Sequence, residues 1–293
     1  MQITATMVNE LRGKTGLSMG LCKEALVKAN GDMELAIEDL RKQGQATAAK
    51  RVDKAAKEGK VTIVTDGAAG MVYEVNAETD FVARNEDFVA FIADLGKILL
   101  ANKPADHAAA LKLSDACIGG ITVEAKVTEL VGKIGERIEF RRYRKMLADP
   151  SKEKFFSYIH GGGKIGVLIK ISASTPEALA SDAVAELGKD LAMQIAAERP
   201  TAVDPESIPA AVIAKEKEIY TAQAKESGKP EAVWEKIVDG KLAKYYEEAT
   251  LVNQKFIRDP EVGVKDRIAA VAKAVGADVK PVEFFRLELG ESD

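Results

Sequence analysis

The pattern of hydrophobic and polar positions divides the chain into four blocks, of which the first is helical. Residues 1–45 carry apolar side chains at helical spacing, and glycines interrupt this pattern twice. Ser18 and Asp32 follow the interruptions and are favourable N-caps, while Gly44 is a favourable C-terminal stop. The spacing therefore predicts a small module of three helices.

Residues 46–60 form the second block, which we interpret as a linker. The stretch from Arg41 to Lys60 holds seven basic residues against two acidic ones, and it has almost no large apolar side chain. Its alanines favour a partly helical linker. This composition is typical of a solvated basic face, and the alternative is a contact with RNA or with an acidic partner.

The third and fourth blocks, residues 61–150 and 151–293, contain an internal repeat. Residues 70–75 align with residues 166–171 at an offset of 96 (166 − 70). Each copy begins with two β-like runs around glycines, which predicts a hairpin. Each continues into an amphipathic helix that ends just before a proline.

Each copy closes with a further strand, and the second copy carries an insertion before it. The closing strands begin at Ile138 and Val282, which are 144 residues apart (282 − 138). The excess of 48 residues (144 − 96) predicts an inserted segment at about residues 205–252. Two apolar stripes joined by Gly228-Lys229-Pro230 indicate an antiparallel coiled-coil hairpin there. Such a hairpin either packs back on the body or offers its stripe to another chain.

These blocks predict an α+β fold with a three-helix module, a core of two related hairpin-helix-strand subdomains and the inserted hairpin. The 293 residues are 46% hydrophobic and 30% charged, which is typical of a globular protein. No apolar run approaches the roughly 18 residues that span a bilayer, and the first residues lack the features of a signal peptide. We therefore expect a cytoplasmic protein with no membrane partner.

Composition also limits the chemistry that the chain can perform. The only soft metal ligands are two cysteines and two histidines, so neither a disulfide framework nor a metal site is expected. A net charge of −4 argues against direct nucleic-acid binding as the main activity. We expect no cofactor, no catalytic residues and no enzymatic activity.

One pair of motifs imitates a serine hydrolase, which is kept as an alternative. Gly16-Leu17-Ser18-Met19-Gly20 fits the nucleophile pattern G-x-S-x-G, and His160-Gly161-Gly162-Gly163 resembles an oxyanion-hole motif. The nucleophile elbow requires a strand that enters a helix, whereas Ser18 lies between two helical segments. An N-cap role explains Ser18 better.

The two copies diverge most informatively at the start of their helices. The second copy has Thr175 and Pro176 there, a conventional helix start, whereas the first copy has Thr79-Asp80-Phe81-Val82. In one interpretation Asp80 favours the helix N-terminus and Phe81 enters the core. In the other, an acid and a large apolar ring lie exposed at a strand-helix junction, where they are available to a partner.

Several stretches resemble the bacterial translation elongation factor Ts family. Residues 74–83, Glu-Val-Asn-Ala-Glu-Thr-Asp-Phe-Val-Ala, look like its signature, and residues 11–16, 22–26, 29–32 and 160–168 agree in order and spacing. The resemblance implies a ubiquitin-associated-like helical module, a duplicated core and a coiled-coil insertion. It also implies a guanine-nucleotide exchange factor that binds elongation factor Tu in its GDP form and releases the nucleotide.

The resemblance further implies which residues contact the GTPase. Thr79, Asp80, Phe81 and Val82 match the segment that dislodges the magnesium ion of the GTPase. Met19 and Lys23 match a contact of the helical module, and His160 and Gly161 match a core contact. Gly20 and Leu21 depart from the usual residues of the family at the module contact. The alternative function is a protein-interaction module of unknown partner. Self-association through the helical hairpin is a further expectation.

Overall fold

The computed structural model describes residues 3–228 and 230–291, and these residues combine helices and strands in an α+β fold. They divide into two compact units. The first unit contains residues 3–62, 73–143 and 289–291, and the second contains residues 63–72, 144–228 and 230–288.

Three helices begin the first unit, as the periodicity predicted. They are α1 (Ala5–Thr15), α2 (Met19–Lys28) and α3 (Met33–Arg51). The side chains of Thr4, Ser18 and Asp32 cap them by accepting hydrogen bonds from backbone N–H groups. The predicted stop at Gly44 is wrong, because α3 continues through the alanine-rich stretch to Arg51.

The rest of the first unit surrounds part of a three-stranded sheet of order β1-β2-β3. The strands are β1 (Glu58–Thr65), β2 (Ala69–Ala77) and β3 (Ile138–Leu147). The helices are α4 (Asp80–Ala83), α5 (Glu86–Asn102), α6 (His107–Leu111) and α7 (Val123–Ile134). Strand β2 is buried along its whole length.

The second unit has an antiparallel sheet of order β4-β5-β8. Its elements are β4 (Glu153–His160), β5 (Ile165–Ala173), α8 (Pro176–Ala180), α9 (Asp182–Glu198), α10 (Ala210–Glu226), α11 (Trp234–Ala249), β6 (Lys255–Phe256), β7 (Asp259–Gly263), α12 (Val264–Val275) and β8 (Val279–Glu288). Helix α9 packs closely on the sheet, since a β-carbon at Gly188 would lie 2.2 Å from the Phe156 ring. Thr175 caps α8 and Pro176 follows it, as expected.

The element boundaries repeat the internal similarity of the sequence. Strands β2 and β5, and helices α5 and α9, begin 96 residues apart (165 − 69 and 182 − 86). Both long helices end at a left-handed residue before proline, Lys103 with φ 46° and Arg199 with φ 51°. This shared helix ending is rare for residues other than glycine.

The closing strands correct the sequence alignment. Strands β3 and β8 begin 141 residues apart (279 − 138), and so do α7 and α12 (264 − 123). The predicted offset of 144 is therefore wrong, and the excess in the second copy is 45 residues (141 − 96). Strand β8 also has a register shift where it passes Lys170 and Ile171.

The inserted helices α10 and α11 form a hairpin in which few side chains are buried. Nζ of Lys225 lies 5.9 Å from the ring centroid of Trp234, and Nζ of Lys241 lies 5.6 Å from the ring centroid of Tyr220. In these two helices only Ala224, Leu242 and Ala249 are buried. Lys229 of the predicted turn lies outside the described residues. Across the described part of the chain, no helix is both long and apolar enough to cross a membrane.

Candidate functional site

Phe81 is the most exposed large apolar side chain in the described structure. It lies in the one-turn helix α4, directly after β2, and 81% of its surface is accessible. Its neighbours Val82 and Ala83 are buried and fix the helix to the core. The interpretation that placed Phe81 in the core is therefore wrong: Val82, not Phe81, is the residue of this turn that enters the core.

Thr79 ties the start of this turn to a second loop. Its hydroxyl caps α4 by accepting a hydrogen bond from the Val82 N–H at 3.4 Å. The same hydroxyl donates to the Glu136 carboxylate, with distances of 2.9 and 3.1 Å to its two oxygens. Since Glu136 precedes β3, the turn is held from a part of the chain 57 residues away.

Glu78 holds the other side of the same junction. Its carboxylate accepts two hydrogen bonds from the Arg51 guanidinium, at 3.1 and 3.2 Å, and one from the backbone N–H of Arg137 at 2.6 Å. Charged hydrogen bonds of this kind are stronger than neutral ones. Phe81 is therefore an exposed ring on a rigid base and not part of a loose loop.

Asp80 lies beside Phe81 on the solvent side of the turn. Its carboxylate accepts a hydrogen bond of 3.0 Å from Arg84; the Asp80 side chain is half-exposed and that of Arg84 is largely exposed. An exposed pair of this kind contributes little to stability. The Asp80 carboxylate is thus free to exchange Arg84 for a cationic or hydrogen-bonding group of a partner.

Met19 and Lys23 lie one helical turn apart on α2. Both side chains are exposed, as are Leu21 and Val27 on the same helix. Cys22, Ala25 and Leu26 form the buried side of the helix. Helix α2 therefore presents apolar groups and a cation to solvent while its opposite side forms the core of the module.

His160 and Gly161 belong to the second unit, at the turn between β4 and β5. Nδ1 of His160 is 3.0 Å from the Tyr158 hydroxyl, and the side chain is exposed. Gly161, Gly162 and Gly163 all have positive φ, and the Lys164 N–H donates to the His160 carbonyl. The glycine run is thus the tight turn of the predicted hairpin, and it presents His160 at its edge.

The hydrolase motifs do not form an active site. Ser18 caps α2 by accepting a hydrogen bond from the Leu21 N–H at 3.4 Å, and it lies between two helices without the strand that a nucleophile elbow requires. Among the described residues, no group of three or more His, Cys, Asp or Glu side chains is placed to hold a metal ion.

The sequence did not indicate the residues that support the Phe81 turn. Glu78, Glu136, Arg51 and Arg137 come from three distant stretches. The adjacency of Glu78 to the Thr79–Val82 segment was the one available signal. Without coordinates, no spacing rule pairs it with Arg51.

Comparison with known proteins covers almost the whole chain. A family model described as Elongation factor TS matches residues 78–291. The chain is 44% identical to "Elongation factor Ts" of Clostridioides difficile over 291 residues, which cover 99% of this chain and 93% of that protein. It is 42% identical to the protein of the same name from Chloroherpeton thalassium over 293 residues, with 99% of each chain covered. For the protein of that name from Syntrophotalea carbinolica the identity is 42% over 291 residues, with 99% and 94% covered.

Proposed function

Because the chain belongs to the elongation factor Ts family, we infer that this translation elongation factor acts as the guanine-nucleotide exchange factor of elongation factor Tu. In this proposal it binds the GDP form of the GTPase, displaces the magnesium ion and promotes GDP release, so that GTP can enter. The reaction takes place in the cytoplasm during translation elongation. It involves no covalent chemistry by this chain and no cofactor of its own.

The observation that carries the proposal is the exposure of Phe81 on an anchored turn. A largely exposed aromatic ring costs free energy in the free protein, and a partner that buries it recovers about 1.5 to 3 kcal/mol. Thr79 and Glu78 hold the backbone below the ring, so that little conformational entropy is lost on contact. Phe81 therefore acts as a wedge.

Asp80 supplies the polar part of the same action. A magnesium site binds its ion through carboxylates, hydroxyls and waters held in octahedral geometry, and small displacements of these groups weaken it. Once Asp80 leaves Arg84, its carboxylate competes for the donors that organise the magnesium site of the GTPase. Val82 holds the turn to the core while the two exposed residues act.

Several contacts together produce a large loosening of GDP. Each 1.4 kcal/mol lowers the affinity tenfold, so that one buried ring accounts for about one to two orders of magnitude. Met19 and Lys23 of the helical module, and His160 and Gly161 at the β4–β5 turn, are proposed as the further contacts. By linkage, bound nucleotide lowers the affinity of the GTPase for this chain by the same ratio, which permits turnover.

The finer architecture is part of the same proposal. Helices α1 to α3 serve as a ubiquitin-associated-like module, and the two hairpin-helix-strand copies serve as related core subdomains. The α10–α11 hairpin serves as an antiparallel coiled coil. Its exposed apolar residues Val212 and Ile219 suit a contact with a partner or with a second copy of the chain.

The direct experiment measures GDP release from elongation factor Tu. The GTPase is loaded with a fluorescent GDP analogue, and dissociation is followed with and without this chain in the presence of excess GTP. We expect strong acceleration by the wild-type chain and little by the double variant Asp80→Ala, Phe81→Ala, which keeps its fold. If the wild-type chain leaves the rate of GDP release unchanged, the proposal is overturned, and an interaction module with another partner is favoured.

A further inference from the structure

Helices α3 and α7 cross at a point where neither has a side chain. A β-carbon added to Gly132 would lie 2.6 Å from the Cα atom of Gly44, whereas one added to Gly44 would lie 3.7 Å from the Cα atom of Gly132. Real β-carbons almost never approach another heavy atom within 3.0 Å. The crossing therefore has no space for a methyl group at Gly132, although it has space for one at Gly44.

Lys133, the next residue of α7, makes a second connection. Its ammonium group lies 2.7 Å from Oδ1 of Asp87, in the first turn of α5. The same side chain covers Gly16, the residue that ends α1, with Nζ 2.6 Å from the position of an added β-carbon. Lys133 thus joins the α1–α2 turn, which precedes Met19, to the helix that follows the Phe81 turn.

Between these two connections the module and α7 leave a cavity of about 640 Å³. Leu17, Leu21 and Ile37 of the module line it, and Thr128 of α7 also lines it. Beside this cavity the module is held at the glycine crossing and at Lys133, and Arg51 at the end of α3 adds its ion pair with Glu78. A methyl group added at Gly132 will therefore alter how firmly the module is held.

We propose that Gly132, which faces Gly44, and Lys133 are positioning residues that hold the helical module against α7. The exposed Met19–Lys23 side of α2 and the Phe81 turn then engage elongation factor Tu as one preorganised surface. The identity of the partner in this inference rests on the proposed function. Neither positioning residue is required to touch the GTPase.

The physical reason is the effective concentration of the second contact. When the module is fixed, binding at one surface places the other at its target without a further entropic cost. When the module moves on a flexible tether, that advantage falls. Loosening the crossing should therefore raise the factor concentration that gives half-maximal GDP release, whereas removal of the wedge at Phe81 should lower the maximal rate.

The test compares Gly132→Ala with its matched control Gly44→Ala. Both variants exchange glycine for alanine within a helix, so both gain in intrinsic helix preference, but only the first collides with the facing backbone. Spin labels at Glu34→Cys and Ala101→Cys, both exposed positions, report the distance between α3 and α5 in a Cys117→Ser background. We expect a narrow distance distribution in the wild type and in Gly44→Ala, and a broad or shifted one in Gly132→Ala.

The kinetic part of the test uses the same variants in the GDP-release assay. We expect Gly132→Ala to raise the half-saturating concentration about tenfold with a nearly unchanged maximal rate, and Gly44→Ala to match the wild type. A narrow, wild-type distribution in Gly132→Ala overturns the inference, and so does a broad distribution with unchanged half-saturation. If the wild-type chain fails to accelerate GDP release, the proposed function fails, while the distance measurement still decides whether the crossing fixes the module.

A second variant covers the case in which Gly132→Ala does not fold. Lys133→Met keeps most of the side-chain volume and removes the ion pair with Asp87 without adding bulk at the crossing. We expect a moderate broadening of the distance distribution and a few-fold rise in half-saturation. A distribution and a half-saturation equal to those of the wild type overturn the role of Lys133.

Discussion

Nε of Arg142 donates a hydrogen bond of 2.7 Å to the carboxylate of Glu74, and both side chains are buried. The same carboxylate also accepts from the Arg141 guanidinium, the Asn76 amide and the backbone N–H of Gly290. Glu74 thus joins the middle of β3 and the last described residues of the chain around a single buried charge. Its oxygens are satisfied by protein donors, which is the condition under which a buried carboxylate is tolerated.

The first prediction concerns this buried charge. Glu74→Ala leaves two arginines without their shared partner, so we expect the free energy of unfolding to fall by about 3 to 5 kcal/mol. The matched control is Glu283→Ala in the second copy, where the carboxylate lies 3.6 Å from Lys170 and is 46% exposed. Its loss should cost less than about 1 kcal/mol. Urea-induced unfolding followed by circular dichroism checks both, and equal losses would contradict the prediction.

The second prediction concerns alkaline pH. Burial raises the pKa of Tyr73, whose hydroxyl donates to the Ile92 carbonyl at 2.8 Å. Below about pH 10 both the folded and the unfolded chain keep this proton, and the contribution is constant. Above that pH the unfolded chain loses it first, so the free energy of unfolding should fall by up to about 1.4 kcal/mol per pH unit.

Tyr73→Phe isolates this effect from other titrations. At pH 8 the variant should be about 1 kcal/mol less stable than the wild type, because it lacks the hydrogen bond to Ile92. At pH 11 this deficit should vanish or reverse, since the variant has no phenol to ionise. Urea unfolding at the two pH values measures the deficit, and a constant deficit would show that Tyr73 does not cause the alkaline loss.

The third prediction separates the wedge from the fold. Phe81→Ala should leave the melting temperature nearly unchanged, because the ring is exposed, and should slow stimulated GDP release about 10- to 100-fold. Phe88→Ala is the contrasting variant, since Phe88 is buried in α5, and it should lose about 3 to 5 kcal/mol of stability. Calorimetry and the GDP-release assay together check the pair. A large fall in melting temperature for Phe81→Ala would refute the assignment.

The fourth prediction uses the repeat as its own control. Thr79 and Thr175 both cap a short helix after the central strand of their sheet. Each change to alanine should cost about 1 kcal/mol of stability. Only Thr79→Ala should slow GDP release, because it also breaks the bond to Glu136 below Phe81. Thr79→Ser should restore most of the rate, and equal kinetic effects of Thr79→Ala and Thr175→Ala would rule out a special role for Thr79.

Much of the fold follows from local patterns in the sequence. The caps at Ser18, Asp32 and Thr175 were predictable because they depend on residues within one turn. The end of α3 was not, because Gly44 looks like a stop signal, whereas it lies inside α3, where this helix passes close to Gly132 and leaves no space for a β-carbon there. A glycine needed for space and a glycine needed for positive φ are identical in sequence.

The site shows the same limit. The unusual Thr79–Val82 segment stood out when the two copies were compared, yet sequence alone left open whether Phe81 was core or surface. Burial of Val82 decides that question, and it depends on the direction in which a single helical turn leaves β2. The support from Arg51 and Glu136 depends on long-range packing that no local rule contains.

The charges at equivalent positions of the two copies are reversed, and this reversal disfavours pairing of a strand from one copy with a strand from the other during folding. Strand β2 carries Glu74 where β5 carries Lys170, and their partners are Arg142 and Glu283. If β2 were to join β8, Glu74 would meet Glu283, and if β5 were to join β3, Lys170 would meet Arg142. Like charges that face each other inside a sheet are repulsive. In each copy the charge on the central strand is therefore opposite to that on its own closing strand and equal in sign to that on the closing strand of the other copy.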